Sequence, residues 1–216
     1  MNKKCVVILS GGPDSVTCLY WAKAEGYDVN AITFDYGQKA KIEIETAKKI
    51  TNELGIPHKV IDLSNLKEIY EGVTSLVDES MKITSDFSDS IIVPFRNGIF
   101  MAVTVAYTIG IEANTIFYGA HADDEPFYPD CRRDFYEAFE KAARLGTDKN
   151  IVIYSPFSDI PKSGILKIAV ELGVPLELTW SCYLNGPVHC GKCESCNNRK
   201  KAFKEANIKD STIYIN

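Results

Sequence analysis

Short apolar runs alternate with longer amphipathic segments along most of the chain. The apolar runs have the length of buried strands and lie at 4–9, 29–34, 59–63, 115–118 and 151–154. Amphipathic segments, which favour helices, lie between or after them at 14–25, 39–54, 97–110 and 130–145. Strands that alternate with helices predict an α/β fold, a Rossmann-like parallel sheet with helices on both faces. Ligands of such sheets bind beyond the carboxyl ends of the strands.

Residues 69–92 break this pattern. The stretch is rich in Ser, Thr and Asp and has few apolar anchors. It predicts a long surface excursion that serves as a lid or a subunit contact, and disorder in the absence of a ligand is the alternative.

Composition and charge narrow the class of protein. A chain of 216 residues with 45% hydrophobic content can bury one substantial core. We expect a main domain at 1–178 and a C-terminal segment at 179–216 that packs on it. The net charge of -5 gives no basic field, so nucleic acid is not an expected partner. Neither a signal sequence nor an apolar run of about 18 residues is recognised, which predicts a cytoplasmic protein without a membrane partner.

The loop after the first strand carries the clearest candidate chemistry. Leu9 ends the strand, and the loop at 10–15 reads Ser-Gly-Gly-Pro-Asp-Ser. Two glycines let the backbone approach a ligand closely, and the amides of the following helix point at an anion. Ser10 and Ser15 add hydroxyl groups, while Asp14 either caps the helix or helps hold a divalent cation between phosphates. An ordinary Gly-rich turn is the alternative.

The type of phosphate loop can be narrowed further. A Walker loop needs Gly-Lys-Ser/Thr and a dinucleotide fingerprint needs three spaced glycines, and this loop has neither. It resembles the pyrophosphate loop of the ATP pyrophosphatases, which cleave ATP between the α and β phosphates. That resemblance implies ATP contacts from Leu9, Ser10, Gly11, Gly12, Asp14 and Ser15.

Polar residues also follow or precede other elements at the same edge of the sheet. The stretch at 34–38, which begins with Phe34, suits contact with a nucleotide base or ribose, or it is simply a turn. Arg96 stands at a helix start and could neutralise phosphate through a bidentate fork, although a surface arginine is the alternative.

A run of three acids follows the fourth strand. Carboxylates at 123–125 suit Mg²⁺ or a hydrogen-bonded heterocycle, and a solvated acidic loop is the competing interpretation. His121 precedes them and by itself decides nothing.

The cysteines indicate a metal site near the C-terminus. Seven cysteines argue against a closed disulfide framework, and four of them are spaced C-x7-C-x2-C-x2-C at Cys182, Cys190, Cys193 and Cys196. Four thiolates fit a closed, structural Zn²⁺ site that braces the fold. An iron–sulfur cluster and disulfides are the alternatives.

Taken together, these motifs resemble the 7-cyano-7-deazaguanine synthase family of the ATP pyrophosphatase superfamily. Its fold is like that of the adenine nucleotide α hydrolases. The matching positions are in family order at 10–15, 34–38, 96–97, 124, 128–132, 162 and 179–199.

The resemblance implies a carbon–nitrogen ligase that converts 7-carboxy-7-deazaguanine and ammonia to the nitrile. It implies adenylated intermediates, ATP and Mg²⁺ at the loop, structural Zn²⁺ and a homodimer. Ser10, Asp14, Ser15 and Lys162 would be catalytic, and Phe34 and Arg96 would contact the nucleotide. The residues implied to bind the deazaguanine are Asp124, Tyr128, Asp130 and Arg132.

Departures from the family pattern keep an alternative open. Lys39 and Ala40 replace the usual Arg-His, the acidic loop differs at 123–127, and Gly164 replaces a usual acid. These positions flank the substrate pocket rather than the phosphate loop. A relative that adenylates the carboxylate but stops at the amide, or joins it to another amine, therefore remains an option. So do a superfamily enzyme of another substrate class and a zinc-braced nucleotide sensor without turnover.

Overall fold

The computed structural model describes residues 3–215. In this range a single sheet of five strands is entirely parallel, with the order β3-β2-β1-β4-β5. The strands are β1 (Lys4–Ile8), β2 (Asp28–Asp35), β3 (His58–Asp62), β4 (Thr115–Phe117) and β5 (Val152–Tyr154). The parallel sheet predicted from the alternating pattern is confirmed.

Helices follow each of the five strands. They are α1 (Pro13–Ala24), α2 (Ile42–Leu54), α3 (Lys67–Tyr70), α4 (Arg96–Gly110), α5 (Arg133–Thr147), α6 (Lys162–Glu171) and α7 (Glu194–Ala206). Single 3₁₀ turns lie at Ser64–Leu66, Asp89–Ile91, Pro129–Cys131 and Leu176–Leu178.

The central strand β1 is buried on both faces, as a parallel sheet requires. Its side chains alternate between two hydrophobic clusters. Cys5 and Val7 face a cluster that contains residues of α1, α6 and α7, whereas Val6 faces a cluster that contains Phe100 of α4. Helices therefore cover both faces, and the carboxyl edge of the sheet is left open between them.

Two predicted helices begin later than expected. The helix predicted from residue 39 starts at Ile42, because Gln38 folds back to bond the backbone of Phe34 and Tyr36. The helix predicted from residue 130 starts at Arg133, since Arg132 is extended at φ -69° and ψ 151° after a 3₁₀ turn. Both corrections lie at the carboxyl edge of the sheet.

The excursion at 69–92 is better anchored than the sequence indicated. Tyr70, Leu76, Val77 and Ile91 are buried in the cluster that covers β2 and α4. Ser90 closes the excursion on itself, because its carbonyl accepts from the amide of Ser75 and from the hydroxyls at 74 and 75. The expectation of few apolar anchors was wrong, since the anchors lie too far apart in sequence to form a periodic pattern.

One helical segment of the described residues, Asp89–Gly110, is apolar and long enough by composition to cross a membrane. The sequence analysis expected no apolar run of this length. Here α4 is a core helix, with Met101 and Val105 buried against β4 and α5.

The C-terminal segment belongs to the same core. Ala202, Phe203 and Ala206 of α7 pack with residues of α1 and α6. Arg199 is fully buried and donates to the carbonyl of Leu176 and to side chains at 179 and 181. The segment is thus tied to the body of the fold by a buried charge as well as by apolar contacts.

Candidate active site

A cavity of about 270 Å³ opens at the carboxyl edge of β1, β2 and β4. It gathers most of the site residues predicted from sequence. Those in its wall are Leu9, Ser10, Gly12, Asp14, Ser15, Phe34, Arg96, Asp124, Tyr128 and Lys162. Gly11, Asp130 and Arg132 lie outside that wall.

The hydroxyl groups of the phosphate loop form hydrogen bonds within the loop. The Oγ atoms of Ser10 and Ser15 are 3.0 Å apart, and Ser15 Oγ donates to the carbonyl of Gly12. Gly11 has φ +87°, and a Cβ there would lie 2.4 Å from the carbonyl oxygen of Glu43. The loop therefore needs glycine at this point both for its backbone angle and for its contact with α2.

Asp14 pairs with Lys162 rather than capping α1. The N-cap of α1 is Gly12, and Asp14 Oδ2 accepts from Lys162 Nζ across the cavity. Burial by itself would raise the pKa of Asp14, but the Lys162 ammonium and nearby His121 leave this pKa below its ordinary value. Oδ1 of the same carboxylate is buried and has no hydrogen-bond partner among the described residues.

Lys162 keeps its charge in this enclosed position. Burial disfavours the ammonium form, yet Asp14 and Asp124 more than compensate, so the pKa of Lys162 is raised. Lys162 is also the first residue of α6, where its amide donates to Asp123 Oδ2 at 2.9 Å. The acidic loop thus fixes the helix that delivers the cation.

His121 joins the two carboxylates of the site. Its Nε2 lies 3.3 Å from Asp124 Oδ2 and 3.8 Å from Asp14 Oδ2, and the ring is buried. Burial raises the pKa of Asp124 above its ordinary value, with His121 and Lys162 opposing the shift. Sequence reasoning set His121 aside, because a single histidine gives no sign that two distant acids converge on it.

The three acids predicted as one metal or heterocycle site have separate places. Asp123 bonds the start of α6, Asp124 faces the cavity, and Glu125 is exposed. Asp123 and Asp124 both line the second cavity described below, and the assignment of this loop to Mg²⁺ or a heterocycle stays a prediction.

Asp130 and Arg132 have backbone partners of their own. Asp130 Oδ2 accepts from the amide of Asn97 at 2.9 Å, at the start of α4. Arg132 Nε donates to the carbonyl of Glu125 at 3.0 Å. Both side chains shape the rim of the site rather than its wall.

Arg96 is directed inward by an unusual backbone. Phe95 has φ +56°, a left-handed conformation uncommon for an aromatic residue, and Arg96 begins α4 directly after it. The guanidinium lies 5.8 Å from the ring centre of Tyr36 and 5.9 Å from that of Phe100. Burial would lower the pKa of Arg96, but Tyr36 and Asp130 raise it, so the cation is retained. Its Nε is buried without a partner among the described residues.

A second cavity of about 630 Å³ adjoins the first. The two share Asp124, Tyr128, Lys162, Tyr183 and Ser195. The rest of its wall comes from the excursion, the acidic loop and α7. Phe87 of the excursion packs on Phe127 of the acidic loop, with ring centres 4.6 Å apart. The site therefore has room for two ligands side by side, with Lys162 between them.

Gly119 limits how α1 sits against β4. A Cβ at this position would lie 2.9 Å from the amide nitrogen of Ser15 and 3.0 Å from the carbonyl carbon of Asp14, both backbone atoms. Gly119→Ala should therefore displace the first turn of α1 and weaken ATP binding by roughly tenfold or more, about 1.4 kcal/mol, measured by titration calorimetry.

The matched control is Gly146→Ala in α5, where a Cβ meets nothing within 4 Å. That variant should bind ATP normally and unfold at a slightly higher temperature, because alanine favours the helix over glycine by up to about 1 kcal/mol. Normal ATP affinity in Gly119→Ala would contradict the assigned role of this close approach.

The four cysteines at 182, 190, 193 and 196 converge on one point. All four Sγ atoms lie within 4.8 Å of one another, and two sulfur pairs are 3.9 Å apart. Four thiolates about 2.3 Å from a single tetrahedral Zn²⁺ would have sulfur separations of about 3.8 Å. Backbone amides of Leu184 and Lys192 donate to Sγ of Cys182 and Cys190, as suits thiolates. The donor set fits one ion held by four sulfurs.

Residues that flank the four cysteines contribute to the wall of the first cavity. The amide of Trp180 donates to the carbonyl of Gly11 at 3.0 Å, and Ser181 and Ser195 line the first cavity. Sequence reasoning missed these residues as site residues, since nothing in their spacing places the C-terminal segment on the phosphate loop.

Solved structures of low identity share this fold. U34-tRNA thiolase NcsA from Methanococcus maripaludis matches with a TM-score of 0.54 and 19% identity, over 95% of this chain and 68% of that chain. NMN synthetase from Francisella tularensis matches with a TM-score of 0.54 and 15% identity, over 97% of this chain and 79% of that chain. At these identities the likeness concerns the fold alone.

Sequence relatives are much closer. The 7-cyano-7-deazaguanine synthase of Caldicellulosiruptor bescii is 42% identical over 214 residues, which cover 98% of this chain and 97% of that protein. The enzyme of the same name from Methanoregula boonei is 42% identical over 221 residues, covering 98% and 99%. The family model described as queuosine biosynthesis protein QueC matches residues 4–207. That span contains the phosphate loop, both cavities and the cysteine cluster, and the chain belongs to the QueC family.

Proposed function

We propose that the chain converts 7-carboxy-7-deazaguanine and ammonia to 7-cyano-7-deazaguanine at the expense of ATP. The observation that carries this proposal is the pairing of Asp14 with Lys162 between two adjoining cavities, in a chain similar over its length to relatives of that name. The first cavity suits the nucleotide, because it begins at the phosphate loop. The second suits the heterocycle, because aromatic rings and Asp124 line it.

The first chemical step is adenylation of the substrate carboxylate. A carboxylate is a poor acyl electrophile, so its oxygen attacks the α phosphorus of ATP and pyrophosphate leaves. Ser10, Ser15, Arg96 and Lys162 stabilise the charge that develops on the phosphates, through hydroxyl, guanidinium and ammonium donors. Asp14 holds Lys162 in place for this role.

The next steps form the nitrile. Ammonia attacks the acyl carbon and AMP leaves, which yields the amide. A second adenylation, on the amide oxygen, permits loss of AMP and gives the nitrile. No covalent nucleophile is required. Burial and the nearby Asp124 raise the pKa of Cys131 well above its usual range, which keeps this thiol neutral beside the cavity.

The proposed substrate-binding residues fall into two groups, those that line the cavities and those at the rim. Asp124 and Tyr128 line both cavities and can accept hydrogen bonds from the guanine-like edge of the deazapurine. Asp130 and Arg132 are proposed to act at the rim, through the backbone contacts that shape the loop.

Two metals complete the proposal. The buried, unpartnered Oδ1 of Asp14 fits Mg²⁺, which would neutralise phosphate charge. The four cysteines fit Zn²⁺, which would brace the fold; a polynuclear iron–sulfur cluster distributes its thiolates over several irons and suits the short sulfur separations less well. We further propose a cytoplasmic homodimer that acts on small molecules and not on nucleic acid.

Product analysis tests the function directly. With ATP, ammonium and 7-carboxy-7-deazaguanine, we expect pyrophosphate release that depends on the deazapurine, and a product with the mass of the nitrile. AMP should be released twice for each nitrile formed. A product with the mass of the amide, or of a conjugate to a larger amine, would instead establish the alternative that the sequence departures left open. ATP binding without any turnover would identify a nucleotide sensor.

A further inference from the structure

Glu43 is a carboxylate of the first cavity to which the proposed steps assign no role. It belongs to the first turn of α2 and lines the cavity together with the phosphate loop. Its backbone carbonyl lies against Gly11, so the side chain is fixed close to the loop. Sequence reasoning did not single it out, because an acid in the first turn of a helix is ordinary.

The two carboxylate oxygens of Glu43 differ, because only one of them accepts a hydrogen bond from a described residue. Oε1 accepts from Gln38 Nε2 at 2.9 Å, and Gln38 is itself anchored to the backbone of Phe34 and Tyr36. Within residues 3–215, Oε2 forms no hydrogen bond and is not a fully buried atom, and Glu43 lines the cavity. The carboxylate is therefore oriented by the protein and retains an acceptor oxygen without a protein partner in a residue that lines the cavity.

Amide formation from ammonia requires such an acceptor. Near neutral pH most ammonia is present as ammonium, which has no lone pair to attack a carbonyl. The other carboxylates of the site are engaged, since Asp14 holds Lys162 and Asp124 pairs with His121. Glu43 is the one of these three carboxylates of the first cavity that forms no ion pair with a described side chain.

We propose that Glu43 is the general base that converts bound ammonium to ammonia for attack on the acyl-adenylate. Its carboxylate takes one proton from ammonium and becomes a carboxylic acid. The nitrogen lone pair forms the carbon–nitrogen bond, and the carbon–oxygen bond to AMP breaks with its electron pair on AMP. The second surplus proton passes from the new nitrogen substituent to the departing phosphate. This inference rests on the proposed function.

The electrostatics of the position suit this role. Burial raises the pKa of Glu43 to about 7, against the hydrogen bond from Gln38 and the attraction of Arg96, with Asp35 adding to the rise. Tyr36 faces the same space, and its own pKa is raised to about 12, so it stays neutral. A base is most effective when its pKa lies near the working pH. Glu43 would thus be half in its basic form near neutrality and fully basic above it.

Glu43→Gln separates this role from a structural one. Glutamine keeps the shape and can still accept from Gln38, but it cannot take a proton. ATP–pyrophosphate exchange driven by 7-carboxy-7-deazaguanine without ammonia should stay within about threefold of wild type. Ammonium-dependent amide and nitrile formation should fall by about 100-fold or more, in line with the usual contribution of a general base. At a fixed total concentration of ammonium, the wild-type rate should rise through pH 7 and level off above it, whereas the residual rate of Glu43→Gln should keep rising with the concentration of free ammonia.

Hydroxylamine provides a rescue, because it is largely unprotonated at neutral pH and needs no base to start its attack. Glu43→Gln should form the hydroxamate from hydroxylamine at a rate within about tenfold of wild type. The matched control is Glu45→Gln on the same helix, whose carboxylate pairs with Lys48 at the surface. It should resemble wild type in every assay.

Each remaining outcome overturns the inference. Equal loss of exchange and amidation would show that Glu43 binds ATP instead. Full amidation in Glu43→Gln, or no rescue by hydroxylamine, would show that it accepts no proton from the nucleophile. If the wild-type protein showed no ATP–pyrophosphate exchange with 7-carboxy-7-deazaguanine, the proposed function itself would be contradicted, and with it the proposed role of Glu43.

Discussion

An Asp14→Asn variant should release pyrophosphate about 1000-fold more slowly than wild type, or more slowly still, because a single preorganised charge-stabilising contact contributes about 100- to 1000-fold. Asn keeps the shape of Asp14 but removes its charge, and it leaves one oxygen where Lys162 and the proposed Mg²⁺ would each use one. Lys162 would then be a buried ammonium with one fewer partner. The measurement is pyrophosphate release with all three substrates, alongside the thermal unfolding midpoint.

The matched control for Asp14→Asn is Asp28→Asn. Asp28 is an exposed carboxylate at the amino end of β2, on the opposite edge of the sheet from the cavity. It should leave the rate unchanged. Wild-type turnover in Asp14→Asn would refute the assignment of the phosphate loop.

Cys193→Ser should lose the metal and much of the stability of the protein. Cys193 is buried, its sulfur lies 3.9 Å from that of Cys182, and it precedes the first residue of α7. Structural zinc contributes free energy of the order of 10 kcal/mol when bound by peptides. Loss of even part of this free energy should lower the thermal unfolding midpoint by roughly 10 °C or more, since about 1 kcal/mol corresponds to roughly 2–4 °C in a domain of this size.

Metal content by mass spectrometry and thermal unfolding together check this expectation. Wild type should carry one zinc for each chain. Cys131→Ser is the control, because that sulfur lies outside the cluster and bonds Asn97 instead. It should retain the full metal content. A stable, active Cys193→Ser protein without zinc would show that the cluster is dispensable.

The sequence predicted those features of the site that are local in the chain. The loop at 10–15 and the four cysteines are each contained in a short segment, and the residue types alone indicated their chemistry. The family resemblance drawn from them is confirmed by the match over residues 4–207. The parallel sheet was predictable as well, because its strands are short apolar runs separated by helices.

Features that depend on contacts between distant segments were not predictable. His121 gained its place only when the fold brought Asp14 and Asp124 to either side of it. Glu43 looks like any acid near a helix start until Gln38 and the loop enclose it. Helix α2 begins later than predicted because the side chain of Gln38 bonds to the backbone of Phe34. The excursion at 69–92 is anchored by buried residues that are scattered in sequence.

The hydrogen bond from the amide of Trp180 to the carbonyl of Gly11 joins the phosphate loop to a segment that is synthesised much later. A nascent chain therefore exposes its phosphate loop long before Ser181 and Ser195 arrive to close the cavity. Truncated or stalled products would consequently have the loop without a usable site.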